Sequence, residues 1–366
     1  MSGAIAVNVL TGFLGAGKTT LLNRLLADPG LSDTAVIINE FGSIGIDHLL
    51  VEKLDEDTVL LQSGCICCTI RTDLKQAILS LFEKRKAGRI APFGRLIIET
   101  TGLADPAPIV ATLTADLMLK YHFRMGNIVA VVDVPNGRHN IETHEESARQ
   151  VAVADRIVVT KPDLAEPEAL SDLARLLSSM NPAAPVEVIR EGDAGSRIVT
   201  EDVHDLAARP AGVRKWIAAE RYHVHDHAPP AEVNVHGSIR AVSIASQTPI
   251  SWPRFSTWLS LLVHRHGAKI LRMKAILDVE GQATPAVVHG VQHLIHRPTH
   301  LEAWPPGMRG SVLVFITDGD IGDIERSFRA FVTGDSAGAG HGASGAGRAA
   351  QPEHGAFEVR LGFVAV

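Results

Sequence analysis

Short apolar runs alternate with helix-period stretches along the first half of the chain. The runs are AIAVNVL at 4–10, AVIIN at 35–39, TVLLQ at 58–62, RLIIE at 95–99, NIVAVVD at 127–133, DRIVVT at 155–160 and PVEVI at 185–189. Several place Val and Ile on consecutive positions, as strands buried on both faces do. Between two of them, Leu74, Ala77, Ile78, Leu81 and Phe82 recur at helical spacing within TDLKQAILSLFEKR. Strand–helix alternation of this kind predicts an α/β domain over residues 1–220, with a mainly parallel, doubly wound sheet.

The pattern breaks at 221–236, RYHVHDHAPPAEVNVH, where Pro229–Pro230 interrupts a stretch without sustained periodicity. This segment is expected to be a linker. Beyond it, SIRAVSIAS, KILRMKAILDVEG, ATPAVVHGVQHLIH and SVLVFITDG read as strands. WPRFSTWLSLLVHRHG and IGDIERSFRAFV read as helices. A smaller α+β domain over 237–332 follows. Residues 333–366 are rich in Gly and Ala and are expected to form a flexible tail, with a terminal strand at EVRLGFVAV.

Composition narrows the function classes. Apolar residues make up 46% and charged residues 21% of the 366, which excludes a disordered or fibrous chain. Net charge is 35 − 41 = −6, so no basic surplus exists to neutralise a phosphate backbone, and nucleic acid is excluded as the main partner. The opening MSGAIAVNVLTG lacks a charged leader, and no apolar run reaches membrane-spanning length. A cytoplasmic protein without a membrane partner is expected. All three cysteines, Cys65, Cys67 and Cys68, fall within GCICC, a clustering that points to metal or redox chemistry and away from a disulfide framework.

Gly12, Gly15, Gly17, Lys18 and Thr19 fit G-x-x-x-x-G-K-[ST], after a strand and before a helix. The glycines let backbone N–H groups curl round phosphates. Lys18 is placed to reach the β- and γ-oxygens, Thr19 to ligate Mg²⁺, and Thr20 follows at the start of the helix. Thr160-Lys161-Pro162-Asp163 follows a late strand. The Asp163 carboxylate can accept from two guanine donors together, a pair that adenine lacks, while the Lys161 stem can cover the ring. In LIIETTG, Glu99 ends a buried strand where it can hold the Mg²⁺ hydration shell, and the Gly102 N–H can sense a γ-phosphate. Glu40, in INEFG, sits in a switch-like position and can serve metal, water or solvent.

The three thiols form a soft donor set that suits Zn²⁺, with Co²⁺ also accommodated and Mg²⁺ disfavoured. Three ligands leave a tetrahedral site open, as transient binding requires. A redox dithiol and a buried inert thiol cluster are the competing readings. His223, His225 and His227 lie on one side of an extended linker, where metal buffering and plain solvation are equally served. His289, His293, His296 and His300 read as core or surface histidines.

In this order, GFLGAGKTTLLNRLL, INEFG, GCICC, LIIETTGLADP and TKPDL resemble the CobW-type metallochaperone GTPases, relatives of the nickel-insertion GTPases of urease and hydrogenase. HGAKILRMKAILDVEG and GVQHLIH resemble that family's C-terminal domain, so the likeness covers nearly the whole chain. It implies a P-loop GTPase domain at 1–220, hydrolysis of GTP with Mg²⁺, and delivery of zinc or cobalt to a client apo-metalloprotein. It further implies Lys18 and Thr19 as phosphate and Mg²⁺ residues, Glu99 and Gly102 as the second switch, and Lys161 and Asp163 as the guanine readers. Cys65, Cys67 and Cys68 would hold the cargo metal. Apart from the resemblance, Glu40 in the first switch-like segment is a candidate for a further ligand, one lost or strained on hydrolysis. Thr160 stands where the family has Asn, which weakens the expected guanine selectivity. Two other functions fit the residues: a zinc buffer without turnover, and an ATP-dependent kinase or ligase with an incidental thiol cluster.

Overall fold

The computed structural model of the chain describes residues 4–41, 59–63, 69–190, 193, 195–201, 234–305 and 307–334. The linker histidines His223, His225 and His227, and the tail from 335 onward, lie outside the described residues.

Among the described residues, seven parallel strands build the first sheet: β1 Ile5–Gly12, β2 Thr34–Phe41, β3 Val59–Ser63, β4 Arg95–Glu99, β5 Phe123–Asp133, β6 Arg156–Thr160 and β7 Val186–Val188. Their order is β3-β2-β4-β1-β5-β6-β7: from β1 the chain runs to β2 and out to β3, returns with β4 between β2 and β1, and then winds outward on the other side through β5, β6 and β7. The connecting helices are α1 Lys18–Leu26, α2 Thr69–Lys86, α3 Ala107–Ala115, α4 Leu117–His122, α5 Val134–Thr143, α6 Glu145–Val153, α7 Pro167–Met180 and α8 Arg197–Thr200. Leu74, Ala77, Ile78 and Leu81 of α2 are all buried against the sheet, as their spacing predicts. β5 is longer than its apolar run, because Phe123–Gly126 extends it beside β1 with a register shift at Val7/Val9. The polar Arg124 and the glycine hid that extension.

The second sheet is antiparallel and contains β8 Asn234–His236, β9 Ile239–Ser246, β10 Ile270–Leu277, β11 Ala286–Val291, β12 Leu294–Ile295, β13 Thr299–His300 and β14 Ser311–Asp318. β8 corrects the linker: its last three residues pair with β9, Asn234 opposite Ala241. α9 Trp252–His266 covers one face through Phe255, Trp258 and Leu259. α10 Ile324–Phe328 is shorter than its sequence pattern, since Arg329–Thr333 continues as a π-turn.

The other face of this sheet packs on the first unit. Leu271, Val291, Val314 and Ile316 join one hydrophobic core with Val151 of α6 and Leu173 and Leu177 of α7. At this seam lies a buried ionic cluster. Asp155, fully buried just before β6, pairs with Arg272 and lies 3.5 Å from Lys274 Nζ, both on β10. Asp155 Oδ2 accepts from the Ile128 N–H at 3.0 Å, and Lys274 Nζ donates to the Ala183 carbonyl at 3.0 Å. No helix among the described residues is long and apolar enough to cross a membrane.

Candidate functional site: a nucleotide cradle at the carboxyl edge of the parallel sheet

β1 is apolar and buried, and it runs directly into the turn Gly12–Gly17. Gly12 has φ 144°, and a Cβ there would come within 2.3 Å of the Val131 carbonyl oxygen, so the turn can leave the sheet beside β5 only as glycine. Gly15 and Gly17 also adopt positive φ, and Gly17 caps α1. The first amides of α1 and the positive end of its dipole therefore face the turn, an arrangement suited to anions.

Lys18 is nearly buried, and its Nζ donates to the Gly12 and Phe13 carbonyls at 3.0 and 3.2 Å. Thr19 Oγ1 donates to Glu99 Oε1 at 2.8 Å, while Thr20 is exposed on the next position of the helix. Glu99 is only 4% exposed, in register with Leu10 at the end of β4. The segment after it is sewn to β1: Thr100 N–H donates to the Leu10 carbonyl and Thr100 Oγ1 to Thr11 Oγ1, each at 2.9 Å. A Cβ on Gly102 would stand 2.6 Å from the Leu14 amide nitrogen, so glycine is what lets this loop lie against the P-loop backbone.

β6 closes the other side. Thr160 Oγ1 donates to the Ala16 carbonyl at 2.7 Å. Lys161, at φ 55°, reaches across the turn to the Gly15 carbonyl at 2.6 Å and to Asp133 Oδ2 at 3.4 Å. Asp163 is exposed two residues later in the turn Pro162–Leu164. The ends of β1, β4 and β6 thus converge on one glycine-rich turn.

Chemically, the site presents a buried ammonium, helix-terminal amides and a hydroxyl–carboxylate oxygen pair. Thr19 and Glu99 are hard donors of the kind Mg²⁺ takes, and they already lie within hydrogen-bond distance of one another. The sequence reading missed two participants and the contact made by a third, Thr160. Thr160 ties β6 to the P-loop, Asp133 holds Lys161, and Gln150 of α6 donates to the Gly102 and Ala104 carbonyls at 3.1 and 3.0 Å. Only Thr160 had a signal, its place before K-x-D.

Cys65, Cys67 and Cys68 lie outside the described residues, in the connection from β3 to α2. Glu40 stands near the carboxyl end of β2, its backbone in register with Gln62 of β3. His289 is buried on β11 with its ring 4.4 Å from that of His296. No group of three or more His, Cys, Asp or Glu among the described residues is placed to hold a metal ion.

A parallel sheet in this winding order, with a P-loop after β1 and a Lys-x-Asp turn after β6, defines a P-loop GTPase. Residues 6–187 match the CobW/HypB/UreG nucleotide-binding domain, and residues 239–332 match the cobalamin synthesis protein cobW C-terminal domain. The chain belongs to the CobW/HypB/UreG family. It is 31% identical over 313 residues to the zinc chaperone YjiA of Escherichia coli, covering 85% of this chain and 93% of that one. It is 27% identical over 361 residues to the zinc chaperone CobW of a Sinorhizobium species, covering 90% and 97%. The crystal structure of Zn(II)-bound YjiA GTPase from E. coli superimposes with a TM-score of 0.64 at 27% identity, over 90% of this chain and 99% of that one.

Proposed function

We propose that this GTPase is a zinc carrier: it binds Zn²⁺ through Cys65, Cys67 and Cys68 and passes it to a client apo-metalloprotein under control of the bound nucleotide. The carrying observation is a line of neighbours across the sheet. Thr19 bonds Glu99 on β4; β4 pairs with β2, Ile38 opposite Glu99; and β2 carries Glu40 in register with Gln62, three residues before Cys65. A change at the γ-phosphate has a short path to the thiol segment along these strand ends. The zinc named for two full-length relatives, and the soft donor set, favour Zn²⁺ as cargo. Glu40 is the candidate fourth ligand for a three-thiolate site.

In hydrolysis, Lys18 exchanges its carbonyl partners for β- and γ-oxygens and offsets the negative charge that develops there. Gly12, Gly15 and Gly17 shape the amide cradle, and Thr20 lies beside it. Thr19, with Glu99 behind it, would hold Mg²⁺, which would supply charge neutralisation at the phosphates when bound. Gly102 offers its N–H to the γ-phosphate. Asp163 accepts from guanine while Lys161 covers the ring, and the Thr160 hydroxyl serves the P-loop backbone, a role that leaves the base contacts to Asp163.

Phosphate release from GTP, measured with and without Zn²⁺ in wild type and Cys67→Ala, tests the reading. A Zn²⁺-dependent rate that is lost in the variant supports a carrier. A rate indifferent to Zn²⁺ in wild type reduces the chain to a GTPase beside a static metal site, and a matching response to Co²⁺ alone would make cobalt the cargo.

A further inference from the structure

One helix touches all three parts whose coordination a carrier needs. At its start, the His144 ring stacks on Phe13 of the P-loop, centroids 4.6 Å apart and 21° from parallel. In its last turns, Gln150, 1% exposed, donates both of its amide bonds to the Gly102–Ala104 loop. The residue before it, Arg149, pairs with Asp318 at the end of β14 at 2.5 Å. Beyond its end, Asn181 Nδ2 donates to the Val151, Ala152 and Ala154 carbonyls at 2.8, 3.2 and 3.0 Å, so the helix is anchored at both termini.

We propose that α6 is the relay between the nucleotide and the C-terminal domain, with Gln150 as the positioning residue for Gly102 and the Arg149–Asp318 pair as the output clamp. The inference rests on the reading of Gly102 as the γ-phosphate-facing residue. Gln150 holds the loop by its carbonyls, so displacing the Gly102 peptide toward a γ-phosphate must stretch bonds made by a residue adjacent to Arg149. Adjacent residues on a helix point about 100° apart, which lets one face the loop and the next face β14. A packed, doubly anchored helix moves as a unit, so the loop's displacement reaches Asp318 as a change in clamp geometry. Linkage makes the effect reciprocal: the seating of the second domain biases the choice between GTP and GDP.

The test compares GDP with a non-hydrolysable GTP analogue, both with Mg²⁺, on the full chain. It reads the affinity ratio of the two nucleotides and the hydrogen exchange of the Thr317–Gly319 amides. Wild type should exchange differently in the two states. Gln150→Leu, which keeps the volume and removes the donor, should erase that difference and raise the analogue-to-GDP affinity ratio about 5-fold or more. Asp318→Asn should erase the exchange difference even where Gln150→Leu fails to fold. Identical exchange in the two wild-type states, or a difference that persists in Asp318→Asn, overturns the relay. Gly102→Ala separates the two ideas. If it changes the affinity ratio while Gln150→Leu does not, the relay is wrong and the Gly102 reading stands. If Gly102→Ala leaves the ratio unchanged, both fall.

Discussion

At the carboxyl edge of the parallel sheet, polar side chains bond mainly to backbone carbonyls of a glycine-rich turn: Lys18 to Gly12 and Phe13, Lys161 to Gly15, Thr160 to Ala16. At the seam between the sheets, charged side chains bond chiefly to one another around Asp155. The first arrangement can exchange partners, because each carbonyl can turn to water when an ammonium leaves for a phosphate. The second cannot, because Asp155, Arg272 and Lys274 are all buried and losing one strands the charge of the others. The molecule therefore places its adaptable polar contacts where a ligand enters and its obligatory ones where two units must stay joined.

The largest expected effect breaks the seam. Asp155→Ala leaves two cations without their carboxylate and should cost about 3–5 kcal/mol of stability, read as a lowered midpoint in denaturant or heat. If the variant is as stable as wild type, the cluster does not hold the domains together. Next comes the adaptable edge. Lys18→Ala should slow GTP turnover on the order of 10²–10³-fold while the unfolding midpoint stays near wild type, since its partners are neutral backbone carbonyls and no buried charge is left unpaired. A comparable loss of stability would erase the contrast between the two regions.

Smaller effects sharpen it. Asp163→Ala removes the acceptor for two guanine donors and should weaken GTP binding by about 1–3 kcal/mol, with ATP binding unaffected. Unchanged GTP affinity would place base recognition elsewhere than in the turn after β6. At the seam, burial pushes Lys274 down to about 8 from its ordinary 10.5, against the opposing pull of Asp155. Between those values the unfolded chain binds the proton and the folded one has lost it, so stability attributable to this residue rises with pH through that window. Relative to Lys274→Met, wild type should gain stability from pH 8 to pH 10.5. A flat or falling difference contradicts the burial of a strained cation.

The two regions also differ in how far they were legible. The P-loop, the ETTG loop and the K-x-D turn are local motifs, each defined by neighbours in sequence, so Lys18, Thr19 and Glu99 could be named before the fold was known. Their meeting in space, Thr19 on Glu99 across 80 positions, follows from the winding of the parallel sheet. The seam had no such signal. In ILRMKAIL, Arg272 and Lys274 alternate with apolar residues and look like the solvent face of a half-buried strand, yet all eight residues are buried. Period-2 patterning reports which side of a strand is polar, and a second domain covering that side leaves no trace in it. Gln150 was hidden for the same reason, a polar residue in an amphipathic helix whose partners are backbone carbonyls 46 and 48 residues away.

The central claim is that nucleotide state governs metal affinity at the thiol cluster. Its most direct measurement is the Zn²⁺ affinity of the wild-type chain loaded with GDP and with a non-hydrolysable GTP analogue, each in Mg²⁺, with Cys67→Ala as the control. The account predicts affinities that differ by roughly 5–150-fold between the two states, and a difference that collapses in the variant. Equal Zn²⁺ affinities in the two wild-type states would contradict it.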